Sequence, residues 1–398
     1  MDARYKPILA IWLFQIANYL DRSAISFAGP SMMKSLHLDP QSFGVLLSAF
    51  AVGYTVSQIP GGLLSDRFGV RPVLVIAPLF WAIFTGLTGV VVGVAALVAV
   101  RLLFGISEGL SNTACYKVIG DNFDSKERAK ATSLWASAIP LAPALAGPLI
   151  ALLLVSVGWQ AVFLLMVIPA VLAALVNYLL VPAQSRNEVA QPRTTIASFR
   201  AVLANRSLWV MCGAYFLFNI AYWGYLGWMP TYLTLQRHID IKGSGILTGI
   251  PYMAGFVGML MAGWLGSNAL YRFRAQILAF SYIFAGGGLA IAYNADGLGT
   301  CIAGLSAAAF FLYGGLAAFG AIVIDLAPDE SRAAFAGVVS TTGQIGGVVA
   351  PLVIGWLVSA SGEFSAGFTF MIAALCIGAA SLLFVLPRVA PRMVANPA

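Results

Sequence analysis

Gly62-Leu63-Leu64-Ser65-Asp66-Arg67-Phe68-Gly69-Val70-Arg71 ends one long apolar run, 42–64, and opens the next, 72–93, with only a few polar residues between them. Each run is as long as the roughly 20 apolar residues that a helix needs to cross a bilayer. Working outward, further runs fall at 7–29, 97–119, 131–155, 160–182, 207–231, 244–266, 275–294, 299–324, 333–358 and 364–386, which makes twelve. Only helices or closed barrels satisfy backbone hydrogen bonds in lipid, and these runs are too long and continuous for barrel strands. The reading is an all-α membrane protein of twelve transmembrane helices.

Composition agrees. Of 398 residues, 60% are hydrophobic and 9% charged, against about 25% charged in a soluble domain. Disorder, a fibrous repeat and a disulfide-rich secreted fold are excluded. Cys115, Cys212, Cys301 and Cys376 lie far apart in apolar runs and read as free thiols packed between helices; His37 and His238 sit in connections. No metal cluster or cofactor motif is expected, and Gly286-Gly287-Gly288 lacks the strand and lysine of a phosphate loop. Met1–Lys6 is too short and polar for a cleaved signal, so the first run is read as the first span.

Of the 22 Lys and Arg, three (Arg22, Arg101, Lys117) lie within runs. If both termini are cytoplasmic, sixteen fall in inner segments and three (Lys34, Arg237, Lys242) in outer ones, a strong positive-inside bias. That bias accounts for the formal charge of +7 without any nucleic-acid partner. The chain also repeats. Asp121 and Arg128 match Asp325 and Arg332 at an offset of 204, and Pro148-Leu149 matches Pro351-Leu352. Gly263-Trp264-Leu265 echoes the opening stretch, with Ser267 in place of Asp66. Two pseudo-symmetric six-helix halves follow, 1–182 and 207–398, joined by a polar cytoplasmic link, 183–206. Parallel repeats of this kind characterise one large class of secondary transporters.

The opening stretch resembles the loop signature of the major facilitator superfamily. The resemblance implies a cytoplasmic conformational latch made by Gly62, Asp66, Arg67, Gly69 and Arg71, its carboxylate stabilised by helix termini and arginines.

Charges inside spans are functional candidates by default. Asp21, Arg22, Arg101 and Glu108 lie at lipid depth, all in the first half. Arg101 and Glu108 share one helix face about 10.5 Å apart along the axis. Gly105 lies between them, where it would admit a neighbouring helix or ligand. Asn18 and Arg22 share a face of the first span, with Asp21 beside them. A guanidinium that never deprotonates suits an anion, and a carboxyl in an apolar span can bind and release a proton. The structural alternative is ion pairing, Asp21 with Arg101. Lys117, nearer the cytoplasmic end, reads as a snorkelling lysine.

Asn18-Tyr19-Leu20-Asp21-Arg22, Arg101 through Glu108, and Tyr54 with Gln58-Ile59-Pro60-Gly61-Gly62 resemble the anion:cation symporter family within that superfamily. The resemblance implies that Arg22 meets a substrate carboxylate, that Tyr19 and Tyr54 line the site, that Asp21 and Glu108 are protonatable, and that Arg101 couples proton to substrate. In the second half, Gln344 stands where the family usually carries asparagine and still offers donor and acceptor; Asn219, Tyr222 and Trp223 are further cavity candidates. Trp135, Ser137, Ile139 and Pro140 stand where sugar-acid carriers tend to offer an amide, which tilts toward a less polar or aromatic acid. The leading expectation is a proton-coupled importer of a small organic anion, monomeric in a bacterial inner membrane. The alternative is a proton-driven exporter of drugs or organic acids; Ala142-Pro143-Ala144-Leu145-Ala146-Gly147-Pro148 keeps only the final Gly-Pro of the antiporter motif. An enzyme is not expected, since no nucleophile–base pair is present.

Overall fold

The computed structural model describes residues 5–123, 125–182, 202–267, 273–327 and 332–386. Residues 183–201 of the link and the side chains of Arg128, Ser267, Asp325 and Arg332 lie outside them. The described residues form helices α1 (Tyr5–Leu36), α2 (Pro40–Phe68), α3 (Val70–Thr88), α4 (Val94–Asn122), α5 (Ser125–Ala136) and α6 (Ala138–Leu180). Then follow α7 (Arg206–Leu235), α8 (Ile241–Ser267), α9 (Arg274–Asn294), α10 (Leu298–Leu326), α11 (Arg332–Ser361) and α12 (Ser365–Ala380), which runs on as a π-helical turn, Ser381–Val385. Each apolar run of the sequence is helical over most of its length. Nine stretches among the described residues are long and apolar enough by composition alone to cross a membrane.

Spans five and six need no loop. They meet inside the 43-residue α6 at Gly158, whose φ of 80° and ψ of 167° break the helix in a conformation open to glycine and costly for other residues. Gly69, with φ 86°, does the same between α2 and α3, a backbone reason for that glycine of the opening stretch. The repeat shows in the caps: α1 is followed by His37 at φ 52° and α7 by His238 at φ 54°. The next amides fold back onto helix carbonyls, Leu38 N–H to Met33 O at 2.9 Å and Ile239 N–H to Leu233 O at 3.1 Å. Asp39 caps α2 by accepting from Ser42 N–H at 2.9 Å.

The helices build two compact units: Met1–Ala190 with Leu226–Gly249 and Pro351–Glu363, and Gln191–Tyr225 with Ile250–Ala350 and Phe364–Ala398. The division thus departs from a single cut in the chain, because parts of α7, α8 and α11 pack with the first unit. There Trp228 stands edge-on to Phe43 at 5.5 Å, Gly147 lies against Gly245, and Gly355 lies against Pro40 O.

Within the first unit α2 and α4 cross at backbone contact. A Cβ at Gly53 would collide with Leu102 O, one at Gly61 with Leu110 O, one at Gly105 with Phe50 O, and one at Gly109 with Tyr54 O. Gly105 therefore admits a helix, and the close crossing carries Phe50 and Tyr54 of α2 to the charges of α1 and α4. The second unit repeats the device between α8 and α10, where Gly258 meets Phe310 O. Of the triple glycine of α9, Gly288 packs against Gly304 of α10, while Gly287 meets nothing within 4 Å. Cys115, Cys212 and Cys301 are buried as expected; Cys376 is exposed, a correction, since its position on α12 faces away from the packed side.

Candidate functional site

Four charges are buried together in the first unit: Asp21, Arg22, Arg101 and Glu108, each 5% exposed or less. Taking ions out of water costs several kcal/mol apiece unless partners replace the solvent, so their pairing decides what they can do. Arg22 and Glu108 are paired. Arg22 donates from Nη2 to Glu108 Oε2 at 2.6 Å and from Nε to the same oxygen at 3.1 Å. It also donates from Nη2 to Asn18 Oδ1 at 3.2 Å, one helical turn away. Three rings enclose the guanidinium: Tyr19 at 4.4 Å, Tyr54 at 4.6 Å and Phe50 at 5.1 Å from ring centroid to Cζ.

Arg101 is different. Among the described residues none hydrogen-bonds or ion-pairs with it, its Nε is buried without a partner, and Phe104 at 4.5 Å and Phe50 at 5.2 Å supply only ring faces. Ring faces attract a cation by about 1–2 kcal/mol, less than the cost of burying one. The ion pair weighed from the sequence, Asp21 with Arg101, is not made; Arg22 takes Glu108 instead, across 86 residues. Asp21 accepts from Thr85 Oγ1 of α3 at 2.6 Å through Oδ2, while Oδ1 has no partner.

The second unit's candidates form no such cluster. Asn219 donates to Tyr215 O at 2.8 Å and accepts from Trp223 Nε1 at 3.1 Å, so its amide is occupied within α7. Tyr222 joins an aromatic column, 5.8 Å from Phe218 and 5.4 Å from Tyr313. Gln344 is half-buried with its Oε1 unpartnered. Its flanking Gly343 and Gly347 leave room for the rings of Tyr215 and Trp223.

In the opening stretch, Asp66 pairs with Lys117 of α4 at 2.8 Å. Arg67 and Arg71 are engaged elsewhere: Arg71 donates to Tyr178 O at 2.6 Å, and Arg67 lies 5.2 Å from the Phe68 ring. Lys117 also donates to Ser65 O at 3.3 Å, so it is a partner of the carboxylate rather than a snorkelling lysine. Gly62 has room for a side chain, the nearest atom to a Cβ there being 3.8 Å away on Thr113. Sequence reasoning passed over Phe50 and Thr85, because an aromatic ring or a threonine in an apolar helix carries no signal by itself.

Among the described residues, two cations and two carboxylates are thus buried together in the helices of the first unit, with one cation lacking an ion-pair partner. Residues 11–319 match the model of the Major Facilitator Superfamily, and the chain belongs to that family: it is a multi-pass membrane transporter, not an enzyme. It is 32% identical to a probable galactarate/D-glucarate transporter, GarP, of Escherichia coli K12, over 97% of this chain and 95% of that one. It is 26% identical to a hexuronate transporter of Bacillus subtilis 168, over 91% and 89%. Among solved structures, a bacterial homologue of the human lysosomal transporter Spinster, inward-facing and occupied, matches with TM-score 0.81 at 19% identity over the whole of both chains, a likeness of fold.

Proposed function

We propose that this chain imports a small organic anion together with protons, as a monomer in a bacterial inner membrane with both termini cytoplasmic, by alternating access. The observation that carries the reading is the unequal state of the two buried arginines: among the described residues, Arg22 is held by Glu108 and Arg101 by no carboxylate. A substrate carboxylate would approach Arg101 first. It could then take Arg22 only by displacing Glu108, and a proton on Glu108 removes the competing charge. Proton and anion therefore assist each other, which is the essence of symport. Asp21 is the second proton site, and Tyr19 and Tyr54 hold Arg22 in place. The galactarate, D-glucarate and hexuronate in the names of the two relatives above are organic acids, in keeping with this chemistry.

In the second unit, Gln344 is assigned substrate hydroxyls through its unused oxygen. Asn219 and Tyr222 supply shape, since the Asn219 amide is occupied. Asp66 with Lys117 is assigned as the latch, with Gly62, Arg67, Gly69 and Arg71 shaping its turn. The test is thermal stability of the purified protein against D-glucarate, D-glucuronate, benzoate, succinate and a cationic amphiphile at several pH values. A ligand at 100-fold over Kd stabilises by about 2.7 kcal/mol. Stabilisation by an organic acid, stronger at low pH and lost in Arg22→Ala, is expected. Stabilisation by the cationic amphiphile alone would overturn the reading in favour of an exporter.

A further inference from the structure

Thr85 departs from the habit of six other helical threonines among the described residues. Thr55, Thr88, Thr234, Thr248, Thr342 and Thr369 each donate to the carbonyl four residues earlier on their own helix, at 2.6–3.1 Å. Thr85 instead sends its hydroxyl from α3 to Asp21 Oδ2 on α1, at 2.6 Å. Both residues are 1% exposed. This is the one hydrogen bond that the described residues offer to Asp21, whose other oxygen has no partner. With both groups buried, the state of this hydroxyl bears directly on whether Asp21 is charged.

We propose that Thr85 is a positioning residue that sets the proton affinity of Asp21, donating to the ionised carboxylate and turning away when the carboxyl takes up its proton. This rests on the proposed role of Asp21 as a proton site. In the ionised state the hydroxyl gives its hydrogen to Oδ2. Once Asp21 carries a proton, the carboxyl O–H donates to Thr85 Oγ1, and the hydroxyl hydrogen turns to Trp81 O, four residues earlier, the bond its neighbours already make. The proton stays on Asp21 throughout; only the direction of the hydrogen bond reverses.

The other groups facing Asp21 are few. Arg101 and Glu108 act on it from α4, Arg22 follows it on α1 and is held by Glu108, and Tyr54 of α2 meets Arg22. α6, which packs along α1, carries no Asp, Glu, Lys, Arg or His. The one charged residue of α3, Arg71, is at its far end on Tyr178. The charged side chains of α5, which meets α1, lie outside the described residues. The bond to the ionised carboxylate outweighs the one from the neutral carboxyl, and the difference is worth about one pH unit of proton affinity.

The experiment is an infrared titration of the full-length protein reconstituted in lipid, without substrate, from about pH 4 to about pH 9. It follows the carbonyl stretch of the protonated carboxyl that vanishes in Asp21→Asn. Thr85→Val, which keeps the shape and removes the hydroxyl, should raise the midpoint by about one pH unit and shift the band frequency. Thr85→Ser should restore the wild-type midpoint, and a structural role would not track the hydroxyl in this way. An unchanged midpoint and band in Thr85→Val would overturn the inference while leaving Asp21 a proton site. Absence of any band assignable to Asp21 in the wild type would overturn both.

Discussion

Replacing Glu108 by glutamine removes one charge from the buried pair and leaves its shape. In the wild type two donors of Arg22 converge on Glu108 Oε2 at 2.6 and 3.1 Å, with Arg22 5% exposed and Glu108 1% exposed. Charge centres about 4 Å apart attract by about 4 kcal/mol at an effective dielectric constant near 20, a gross figure, since each charge was also taken from water. An incoming anion must compete with that attraction unless Glu108 is protonated. One decade of affinity corresponds to about 1.4 kcal/mol, so ionised Glu108 can hold anion affinity down by as much as about two to three decades. Wild-type Kd should therefore rise close to tenfold per pH unit in the alkaline range. In Glu108→Gln that slope should drop by one proton, and the anion should bind at least about tenfold tighter than to wild type near pH 8. The assay is calorimetric or tryptophan-fluorescence titration with the organic acid that stabilises the wild type, from about pH 5 to about pH 8.5. Uptake in proteoliposomes should at the same time lose the share of its dependence on an imposed proton gradient that Glu108 supplies. A mutant that keeps the full pH slope, or binds no more tightly near pH 8, would refute the exchange of Glu108 for substrate on Arg22.

Arg101→Lys keeps the charge but loses the planar fork set between Phe50 and Phe104, and it should weaken anion binding at least about tenfold with the pH slope intact; titration as above checks this. Gly105→Val places branched carbons against Phe50 O at the α2–α4 crossing and should cost more than the usual 1–3 kcal/mol of overpacking, read as lost thermal stability in detergent. Asp39→Ala should destabilise by about 1 kcal/mol near neutral pH through loss of the α2 cap. Hydrogen bonds from Ser42 hold the Asp39 carboxyl below its usual range, so its contribution is present above about pH 4 and fades as pH falls through the lower folded value. The difference between wild type and Asp39→Ala in thermal unfolding should narrow accordingly.

The spans were legible because lipid enforces them: long apolar runs, a positive-inside bias and an offset repeat all follow from one solvent. The four buried charges were legible for the same reason, as exceptions in apolar runs. Their partners were not. Helical spacing places Arg101 and Glu108 on one face of α4, but it does not say which neighbouring helix supplies the countercharge, and Glu108 went to Arg22 rather than leaving Asp21 to Arg101. Lys117 looked like a lysine reaching for the interface until α2 and α4, locked together by glycines, set it beside Asp66. Asn219 looked available because the amide it shares with Trp223 is an i, i+4 contact that any helix permits and few use. Gly158 was silent, since a single glycine between two apolar runs does not announce a reversal.

The four buried charges sum to zero when both carboxylates are ionised. An electrically neutral cluster feels no net force from the membrane potential, whereas each unbalanced elementary charge carried across is worth about 2.3 kcal/mol per 100 mV. The empty carrier should thus reset at a rate indifferent to voltage. Loaded with a monoanion and one proton it would remain neutral, and uptake would run on the pH gradient alone; with a proton on each of Asp21 and Glu108 it would carry one positive charge, and an inside-negative potential would drive it inward. Current recorded from proteoliposomes on a solid support would therefore count the protons.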